Sequence, residues 1–310
     1  MKLVFLGCGA AARMHAKTLS KIENGHAIVT RFASRDPSRA EAEYGSYEAA
    51  LADPSVDAVV VTTPPATHLE LTLAALSRQK HVIVEKPAFV RSTDFDAVGD
   101  AARRAGCRVL VAENYFYKPL TAALRRVIES GVIGDVRFVH VNALKRQISS
   151  GWRDDRALAG GGALFEGGIH WINLLSSIGL TIASAHGTVA GPANGDLDRS
   201  LLVSLRFAEG AAGTLLYSWE IPSLLRGLRL SRVFGTRGSI VFESNGVFVS
   251  ARGRISFPGL FDIAGYRAMF RDFLRVLRDG IEPKMTLARA RADVALVEQI
   301  YRSTQAEGVR

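Results

Sequence analysis

Cysteine is scarce in this sequence, and long apolar runs are absent. The 310 residues include two cysteines, Cys8 and Cys107, too few for a disulfide framework, so we expect a reducing, cytoplasmic location. No apolar run approaches the roughly 20 residues that span a bilayer, which argues against a membrane protein. The opening segment MKLVFLGCGAAARMH is too short in its apolar part for a signal peptide, and glycines stand where a cleavage region should be.

Blocks of a single charge are also missing, although basic residues outnumber acidic ones. The formal net charge is +9, but the arginines are spread along the chain. There is no zinc finger, basic leucine zipper or lysine block of the kind that binds nucleic acid. We therefore expect a basic solvated surface or a site for an anionic substrate, with no nucleic-acid partner and no metal site.

The first half of the chain alternates short apolar runs with helical patterns. Helices are predicted between five strands, which cover 2–7, 27–34, 57–63, 81–85 and 108–114. Because these runs are continuously apolar, the strands are expected to be buried on both faces, as in a parallel, doubly wound sheet. One intervening helix is predicted over 36–44, with Asp36 as its cap and Pro37 at its first position.

The second half has longer strands that alternate in polarity. A polar helix is followed by a predicted strand over 136–148, and later strands are separated by EG, RG and NG turns that are typical of hairpins. A final helical pattern covers 286–304. The sequence therefore predicts an α/β protein, with a doubly wound parallel sheet in its first half and an antiparallel sheet in its second half.

The segment FLGCGAAARMH joins the first predicted strand to the first helix. Gly7, Gly9 and Ala12 have the G-x-G-x-x-A spacing that lets a backbone approach a pyrophosphate at a helix N-terminus. A flexible turn of glycine and alanine would have the same composition, but the strand before it and the helix after it favour a dinucleotide site. We predict that Gly7, Gly9, Ala11 and Ala12 bind the cofactor.

The end of the second strand bears on the choice of dinucleotide. A carboxylate at this position would bind the ribose 2′-hydroxyl of NAD, whereas this sequence has Ser34 and Arg35 there. A hydroxyl and a guanidinium suit the 2′-phosphate of NADP, so NADP is predicted as the preferred cofactor over NAD. Two alternatives stay open: Arg35 could be an ordinary surface arginine, and Asp36 could be the acid that binds NAD.

A second group of polar residues lies in GGGALFEGGIHWIN, residues 160–173. Glu166 and His170 are four residues apart, so on a helix the acid can orient the imidazole and fix its tautomer. The alternative is a pair on a helix surface. The glycine pair between them is poor helix chemistry for a mere surface, which predicts that something packs closely against this turn.

Two further polar clusters flank these segments. Asn114, Tyr115 and Lys118 follow the last strand of the first half, at a domain junction of the kind where an α/β sheet binds ligands. Trp152 and Arg153 precede the glycine-rich turn. Each residue could equally be structural, and we retain Asn114, Tyr115 and Arg153 as candidates for substrate binding.

With these residues in place, the chain resembles the Gfo/Idh/MocA oxidoreductases, the family of glucose–fructose oxidoreductase and inositol dehydrogenase. The resemblance runs from end to end and includes GCGAAARMH, VVVTTPPATHLELTLAAL, HVIVEKPAF, SGVIGDVRFV, GGGALFEGGIH and the segment from GYRAMF to QIYRS. It implies a dinucleotide-binding Rossmann domain over 1–117. It also implies a substrate-binding and oligomerisation domain over 118–310, an α+β domain with a large, mostly antiparallel sheet, whose last helix can pack back on the first domain. The open face of the second sheet commonly forms dimers or tetramers, so a homodimer or homotetramer is expected.

The resemblance also implies roles for residues of the first domain. Glu85 and Lys86 border the nicotinamide, and Lys86 is the catalytic lysine, followed by a proline whose peptide bond is often cis. Thr63, Pro64 and His68 match the loop that flanks the cofactor.

In the second domain the resemblance implies that His170 and Glu166 are catalytic and that Asn173 contacts the substrate. The family commonly has aspartate at the position of Glu166, and often at that of Asn173. The expected activity is NAD(P)-dependent hydride transfer at a secondary alcohol of a sugar, polyol, cyclitol or nucleotide-sugar-like molecule. Alternatives are an NAD-dependent glycosidase and a non-catalytic dinucleotide sensor. The presence of both Lys86 and His170 argues against the sensor.

Overall fold

The apolar runs of the first half form one parallel sheet, as predicted. The computed structural model describes residues 1–22, 28–36, 38–39, 41–191, 197–223 and 227–307. The strands of this sheet are Lys2–Leu6 (β1), Val29–Ala33 (β2), Ala58–Val61 (β3), His81–Glu85 (β4) and Val109–Ala112 (β5). Their order is β2-β1-β3-β4-β5, and every neighbouring pair is parallel. The strands β3 and β5 are buried at every residue, which explains their continuously apolar sequences.

Helices connect and cover the strands in both halves of the chain. Within the described residues they are Ala10–Leu19 (α1), Tyr47–Ala52 (α2), His68–Ser77 (α3), Asp94–Ala105 (α4), Asn114–Tyr117 (α5), Pro119–Glu129 (α6), Arg156–Ala159 (α7), Ile169–Leu175 (α8), Tyr266–Asp279 (α9) and Leu287–Glu307 (α10).

The helix predicted over 36–44 does not form among the described residues of that segment, and Pro37 lies outside them. The carboxylate of Asp36 instead accepts hydrogen bonds from the backbone N–H and the hydroxyl of Ser38, at 2.9 and 2.6 Å. A helix cap would make the same bond to Ser38, so this contact alone does not prevent a helix. The end of the segment instead pairs with β2, where the N–H of Tyr44 donates to the carbonyl of Phe32 at 3.2 Å and its carbonyl accepts the N–H of Ser34 at 3.1 Å. The next helix, α2, begins after Ser46, whose hydroxyl accepts a hydrogen bond from the N–H of Ala49.

The second half forms the predicted large sheet. Its strands are Val136–Leu144 (β6), Ile182–Val189 (β7), Ser200–Phe207 (β8), Ala212–Ser218 (β9), Leu230–Gly235 (β10), Gly238–Glu243 (β11), Val249–Ala251 (β12) and Arg254–Ser256 (β13). They lie in the order β13-β12-β11-β10-β6-β9-β8-β7. The pair β6 and β9 is parallel, and the other neighbouring pairs are antiparallel.

One face of this second sheet is buried, and the other, here called the open face, carries exposed side chains among the described residues. Burial alternates along β6 and β8, as expected for strands with one face against the core. Gly187 of β7 illustrates the covered side, because a Cβ there would lie 2.5 Å from the side chain of Ile300 in α10.

The chain divides into two compact units. The first contains Met1–Glu113 and Tyr266–Arg291, and the second contains Asn114–Gly265 and the chain from Ala292 onward. The helix that returns to the first unit is therefore α9, together with the start of α10. The predicted assignment of cofactor binding to 1–117 and substrate binding to 118–310 stays a prediction.

Two further features concern the cysteines and the apolar character of the helices. Both cysteines are buried free thiols. None of the helices within the described ranges has the length and apolar character needed to cross a bilayer.

Candidate active site

The loop after β1 has the geometry that a dinucleotide requires. Gly7 has a φ of +107°, a conformation that favours glycine, and its N–H donates to the carbonyl of Ala33 at 3.0 Å. A Cβ at Gly7 would also lie 3.1 Å from the hydroxyl oxygen of Thr62 in the adjacent loop. The backbone conformation therefore favours glycine here, and the close approach of Thr62 leaves little room for a side chain.

The N-terminus of α1 is open to a ligand. Gly9 is its N-cap, no side chain caps the helix, and a Cβ built on Gly9 would meet no atom within 4 Å. The space beside Gly9 can therefore admit a ligand at the N-terminus of α1, as a pyrophosphate site needs. Ala12 is fully buried, which allows the helix to pack closely on the sheet, while Ala11 is half-buried beside the loop. The residues present fit a dinucleotide.

The end of β2 carries two guanidinium groups. Arg35 is exposed and stacks over the ring of Tyr47 at 5.2 Å, and Arg39 pairs with Asp36 at 3.4 Å. Hydrogen bonds from Ser38 lower the pKa of Asp36, so its carboxylate is ionised and engaged in its own turn. Ser34 is buried, and its hydroxyl accepts a hydrogen bond from the N–H of Asp36 at 3.1 Å. Sequence reasoning did not single out Arg39, although it lies only four residues after Arg35 in the same loop.

Thr63 and Pro64 form a hydrogen-bonded turn after β3. The Thr67 hydroxyl donates to the carbonyl of Pro64 at 2.8 Å, so its oxygen is the acceptor for the Thr63 hydroxyl at 2.6 Å. These bonds fix the loop that the resemblance assigns to the flank of the cofactor.

His68 connects this turn to the loop after β4. The ring is buried, with Nε2 at 2.8 Å from the carbonyl oxygen of Thr63, and Nδ1 at 3.0 and 3.2 Å from those of Pro87 and Ala88. Burial lowers the pKa of His68, although the carbonyls act in the opposite direction. The side chain thus joins two loops, and its predicted contact with the cofactor stays a prediction.

The segment after β4 carries Lys86, and its Lys86–Pro87 peptide bond is cis. Glu85 accepts a hydrogen bond from His15 Nε2 through one carboxylate oxygen and from the backbone N–H of Lys86, at 2.9 Å, through the other. Burial acts to raise the pKa of Glu85, but His15 and the charge and amide of Lys86 outweigh it and lower that pKa well below its usual range. Sequence reasoning missed His15, for which the signal was a histidine on the buried face of α1.

In the second unit, Glu166 lies in a π-helical turn, Leu164–Gly168, that leads directly into α8. Glu166 is buried and accepts a hydrogen bond from Nε of Arg153 at 3.1 Å. The guanidinium of Arg153 also lies 4.4 Å over the ring of Trp152. Arg153 and Glu166 therefore form an ion pair, and both residues were predicted from the sequence to belong to the site.

The glycine pair after Glu166 is packed against a tyrosine, as the sequence predicted for this turn. A Cβ at Gly167 would lie 2.2 Å from the hydroxyl oxygen of Tyr217 in β9, and one at Gly168 would lie 3.4 Å from its ring. Tyr217 is buried and accepts a hydrogen bond from Nε1 of Trp219 at 2.8 Å. Tyr217 was not foreseen, because its contact with the glycines links distant parts of the chain.

The start of the π-helical turn is held by Asp198 and Tyr301. Asp198 accepts hydrogen bonds from the N–H of Leu164 at 2.9 Å and from the hydroxyl of Tyr301 at 2.6 Å. Burial raises the pKa of Asp198 in spite of these bonds. The turn that carries Glu166 is thus anchored at its N-terminal end by side chains that sequence reasoning did not single out.

His170 is half-buried on α8, and its ring stacks on Tyr115. The two ring centroids are 4.5 Å apart with an interplanar angle of 13°. Trp171 packs edge-on against Tyr115 at 5.2 Å, and the buried Lys118 ammonium lies 4.2 Å from the centre of the tyrosine ring. The structure therefore brings Tyr115 together with His170, and it adds Lys118 to the cluster.

The side-chain amides of Asn114 and Asn173 hydrogen-bond to other segments of the second unit. The Asn114 amide donates to the carbonyl of Ala264 at 2.6 Å, and the Asn173 amide donates to the carboxylate of Asp293 in α10 at 2.7 Å. Both asparagines are buried. Their predicted contact with the substrate stays a prediction.

Comparison with known proteins identifies the family. Residues 1–113 match the Gfo/Idh/MocA oxidoreductase family with its NAD-binding Rossmann fold, and residues 121–241 match the Gfo/Idh/MocA C-terminal domain. The chain belongs to the Gfo/Idh/MocA oxidoreductase family. The resemblance stated from the sequence is confirmed, and with it the expectation of an oxidoreductase.

Individual members of the Gfo/Idh/MocA family match most of the chain. The dTDP-3,4-didehydro-2,6-dideoxy-alpha-D-glucose 3-reductase of Streptomyces violaceoruber is 31% identical over 303 residues, 91% of this chain and 80% of that enzyme. The D-xylose 1-dehydrogenase (NADP(+)) 2 of Haloferax volcanii is 27% identical, with 88% of each chain covered. Levoglucosan dehydrogenase of Pseudarthrobacter phenanthrenivorans is 28% identical over 62% of this chain, a match that spans 56% of that enzyme.

A solved structure of an oxidoreductase from Thermotoga maritima shares the fold. Its TM-score is 0.85 at 26% identity, with 98% of this chain and 96% of that chain covered. Across the described ranges of the present chain, no group of three or more histidine, cysteine, aspartate or glutamate side chains is arranged to hold a metal ion.

Proposed function

We propose that this protein is an NAD(P)-dependent dehydrogenase or reductase that transfers a hydride between a nicotinamide and a secondary alcohol or ketone carbon. The observation that carries the proposal lies in the first sheet. The strands β1, β3 and β4 are adjacent and parallel, so their carboxyl ends lie at the same end of the sheet. Gly7, Thr63 and Lys86 follow these strands and therefore lie at that end. Lys86 therefore lies at the same end of the sheet as the loop that is suited to a dinucleotide.

The substrate class that we propose is a sugar, cyclitol or sugar derivative. The relatives named above act, by their names, on a nucleotide-linked deoxysugar, on xylose and on levoglucosan. What they share is a carbohydrate carbon that bears oxygen, which is the group a hydride-transfer enzyme of this kind requires.

The proposed chemistry assigns one role to each domain. A bound nicotinamide supplies the hydride acceptor in oxidation and the hydride donor in reduction. The Lys86 ammonium would hydrogen-bond the substrate oxygen as negative charge develops on it. His170 would take the hydroxyl proton in oxidation and return it in reduction.

The neighbours of His170 suit this role. Its ring stacks flat on Tyr115, which restricts the plane in which the imidazole can lie. Glu166, one turn away and paired with Arg153, would orient His170 or Lys86. We propose Tyr115 and Arg153 as residues that line the substrate site.

For the cofactor we propose a preference for NADP over NAD. Arg35 and Arg39 place two guanidinium groups after β2, and the carboxylate of Asp36 is engaged by Ser38 and Arg39. A free carboxylate for the ribose 2′-hydroxyl is what NAD would need, whereas guanidinium groups suit a 2′-phosphate. One relative is named for NADP, which agrees with this preference.

The proposal is tested by turnover on a panel of sugars and polyols, followed by nicotinamide absorbance. Lys86→Ala should reduce turnover by about 10²–10⁴-fold while cofactor affinity stays nearly intact, because its work is done in the transition state. His170→Ala should act similarly, because it removes the group that exchanges a proton with the substrate oxygen.

Two variants serve as controls, one for the loss of a lysine charge and one for the loss of an imidazole ring. Lys17→Ala removes an exposed lysine of α1, and His140→Ala removes a histidine that contacts Thr214 in the second sheet. Both should retain turnover. Full turnover in Lys86→Ala would contradict the proposed function.

A further inference from the structure

We propose that His15 is a positioning residue for Lys86 and acts on it through Glu85. The inference rests on the proposed catalytic role of Lys86. It adds a fixed connection, inside the first unit, between the helix that begins at the dinucleotide loop and the lysine at the end of β4.

The first step of the connection is the contact of His15 with Glu85. His15 lies on α1 and is 0% exposed, and its Nε2 meets Oε1 of Glu85. An ionised carboxylate only accepts hydrogen bonds, so Nε2 carries the proton and donates. A hydrogen bond to a charged acceptor is about twice as strong as a neutral one, and this one joins α1 to the end of β4.

The second step is the contact of Glu85 with the backbone of Lys86. The other carboxylate oxygen, Oε2, accepts the N–H of Lys86 at 2.9 Å. The Glu85 side chain is only 13% exposed, and each of its oxygens already accepts a hydrogen bond from this unit. Its carboxylate is therefore suited to holding the lysine backbone rather than to exchanging protons with a substrate.

Two aromatic rings of α9 pack against the ring of His15. Its ring packs edge-on against Tyr266 at 5.5 Å and Phe270 at 5.1 Å, both from α9. Within the described part of the chain, Nδ1 is buried without a hydrogen-bond partner. An apolar side chain would fill this place without burying an unsatisfied nitrogen. The bond to Glu85 is thus what a histidine adds at this position.

The arrangement has a mechanical consequence. His15 is part of α1, whose N-terminus is the proposed site for the pyrophosphate, and Tyr266 and Phe270 of α9 pack against its ring. Movement of α1 would move Glu85, and with it the backbone of Lys86. We infer that the orientation of the lysine depends on the same helix that receives the dinucleotide.

Amide hydrogen exchange at Lys86 in the full chain measures this connection without a substrate. His15→Leu removes the donor, so Glu85 can rotate and the Lys86 amide should exchange about tenfold faster or more. His15→Gln keeps an N–H donor at similar reach and should restore protection. Leu19→Ala is the matched control, because Leu19 is buried on the same helix and has no polar contact. It should lower thermal stability without a selective change at Lys86.

Turnover then separates positioning from folding. Measured well below the unfolding temperature, His15→Leu should lower kcat by about 100-fold with little change in the KM of the dinucleotide, because a misplaced catalytic group costs rate rather than binding. His15→Gln should recover most of that loss.

The outcomes distinguish this inference from the proposed function. If Lys86→Ala loses turnover while His15→Leu matches the wild type in both exchange and kcat, His15 does not position Lys86 and the inference is overturned. If Lys86→Ala retains turnover, the proposed function fails, and unchanged exchange in His15→Leu would still overturn the structural connection on its own.

Discussion

The protonation of a single residue, His68, affects the stability of the whole protein. Its ring is buried between three carbonyl oxygens, and burial lowers its pKa below the ordinary histidine value of about 6.5. The unfolded chain therefore binds this proton more readily than the native protein. Stability that is present above that ordinary value is lost as the pH falls below it.

We predict that the free energy of unfolding decreases as the pH is lowered from about 7 to about 5.5, across the ordinary histidine pKa. His68→Gln, which cannot titrate, should flatten part of this dependence in urea unfolding measured at several pH values. His81 contributes to the rest of the pH dependence, because burial lowers its pKa as well. His140→Gln serves as the control on the second sheet. An unchanged slope in His68→Gln would rule out this account of the residue.

The choice of cofactor is also decided by a few side chains. Arg35→Ala should weaken NADP(H) selectively, by about 1.5–3 kcal/mol if a charged hydrogen bond to the 2′-phosphate is lost. Dissociation constants for NADP(H) and NAD(H) measure the effect. Arg103→Ala, which removes an arginine paired with Asp100 on α4, should change neither constant. Equal weakening of both dinucleotides by Arg35→Ala would contradict the preference.

Site residues whose signal is local could be read from the sequence, and those that depend on tertiary contacts could not. Gly7 and Gly9 are set by the conformation of one loop, which the G-x-G-x-x-A spacing encodes. His15 acquires its partner 70 positions later in the chain. Tyr217 and Asp198 act on the glycine-rich turn from other parts of the fold, so no spacing in the sequence connects them.

At the scale of secondary structure, the glycine-rich turn before α8 is shaped by what packs on it. Gly167→Ala would place a Cβ 2.2 Å from the Tyr217 hydroxyl, and we predict a loss of about 1–3 kcal/mol in unfolding free energy from this overpacking. Tyr217→Phe in the Gly167→Ala background should recover part of the loss, since it removes the clashing oxygen. Denaturant unfolding measures all three proteins.

A glycine in another helix supplies the control. Gly99 lies inside α4, where the nearest atoms to a built Cβ are 3.9 Å away. Gly99→Ala should therefore stabilise the protein, by up to about 1 kcal/mol, through helix propensity. Equal destabilisation by the two substitutions would show that packing against Tyr217 is not what requires Gly167.

The elements themselves were predictable to different degrees. Strands β3 and β5 are buried on every residue, so a continuous apolar run was sufficient evidence for them. The helix over 36–44 was predicted wrongly, because Tyr44 pairs with β2, a tertiary contact that the cap signal at Asp36 does not encode. The π-helical turn at Leu164–Gly168 has no sequence signature of its own and follows from tertiary packing around the glycines.

For the whole molecule, the open face of the second sheet predicts self-association. Phe138 of β6 and Phe234 of β10 are cross-strand partners, and they are 61% and 37% exposed. A large antiparallel sheet with aromatic residues on its open face is stabilised when that face is covered. We predict a homodimer or homotetramer through the second domain.

Light scattering at micromolar concentration tests this assembly. Phe138→Asp should shift the protein toward the monomer, because it puts a charge in the centre of the proposed interface. Phe261→Asp is the control, since Phe261 is 89% exposed but lies outside the strands of the sheet. A monomeric wild type, or dissociation by Phe261→Asp alone, would contradict assembly through the sheet face.

The central claim is that Lys86 of the first unit and His170 of the second serve one reaction. A crystal structure with bound NADP(H) and a substrate from the sugar panel tests it most directly. The account predicts that the Lys86 ammonium and the His170 ring both lie within about 2.6–3.2 Å of one substrate oxygen, beside the nicotinamide. A nicotinamide bound far from either side chain, or the two groups on opposite sides of the molecule, would contradict it.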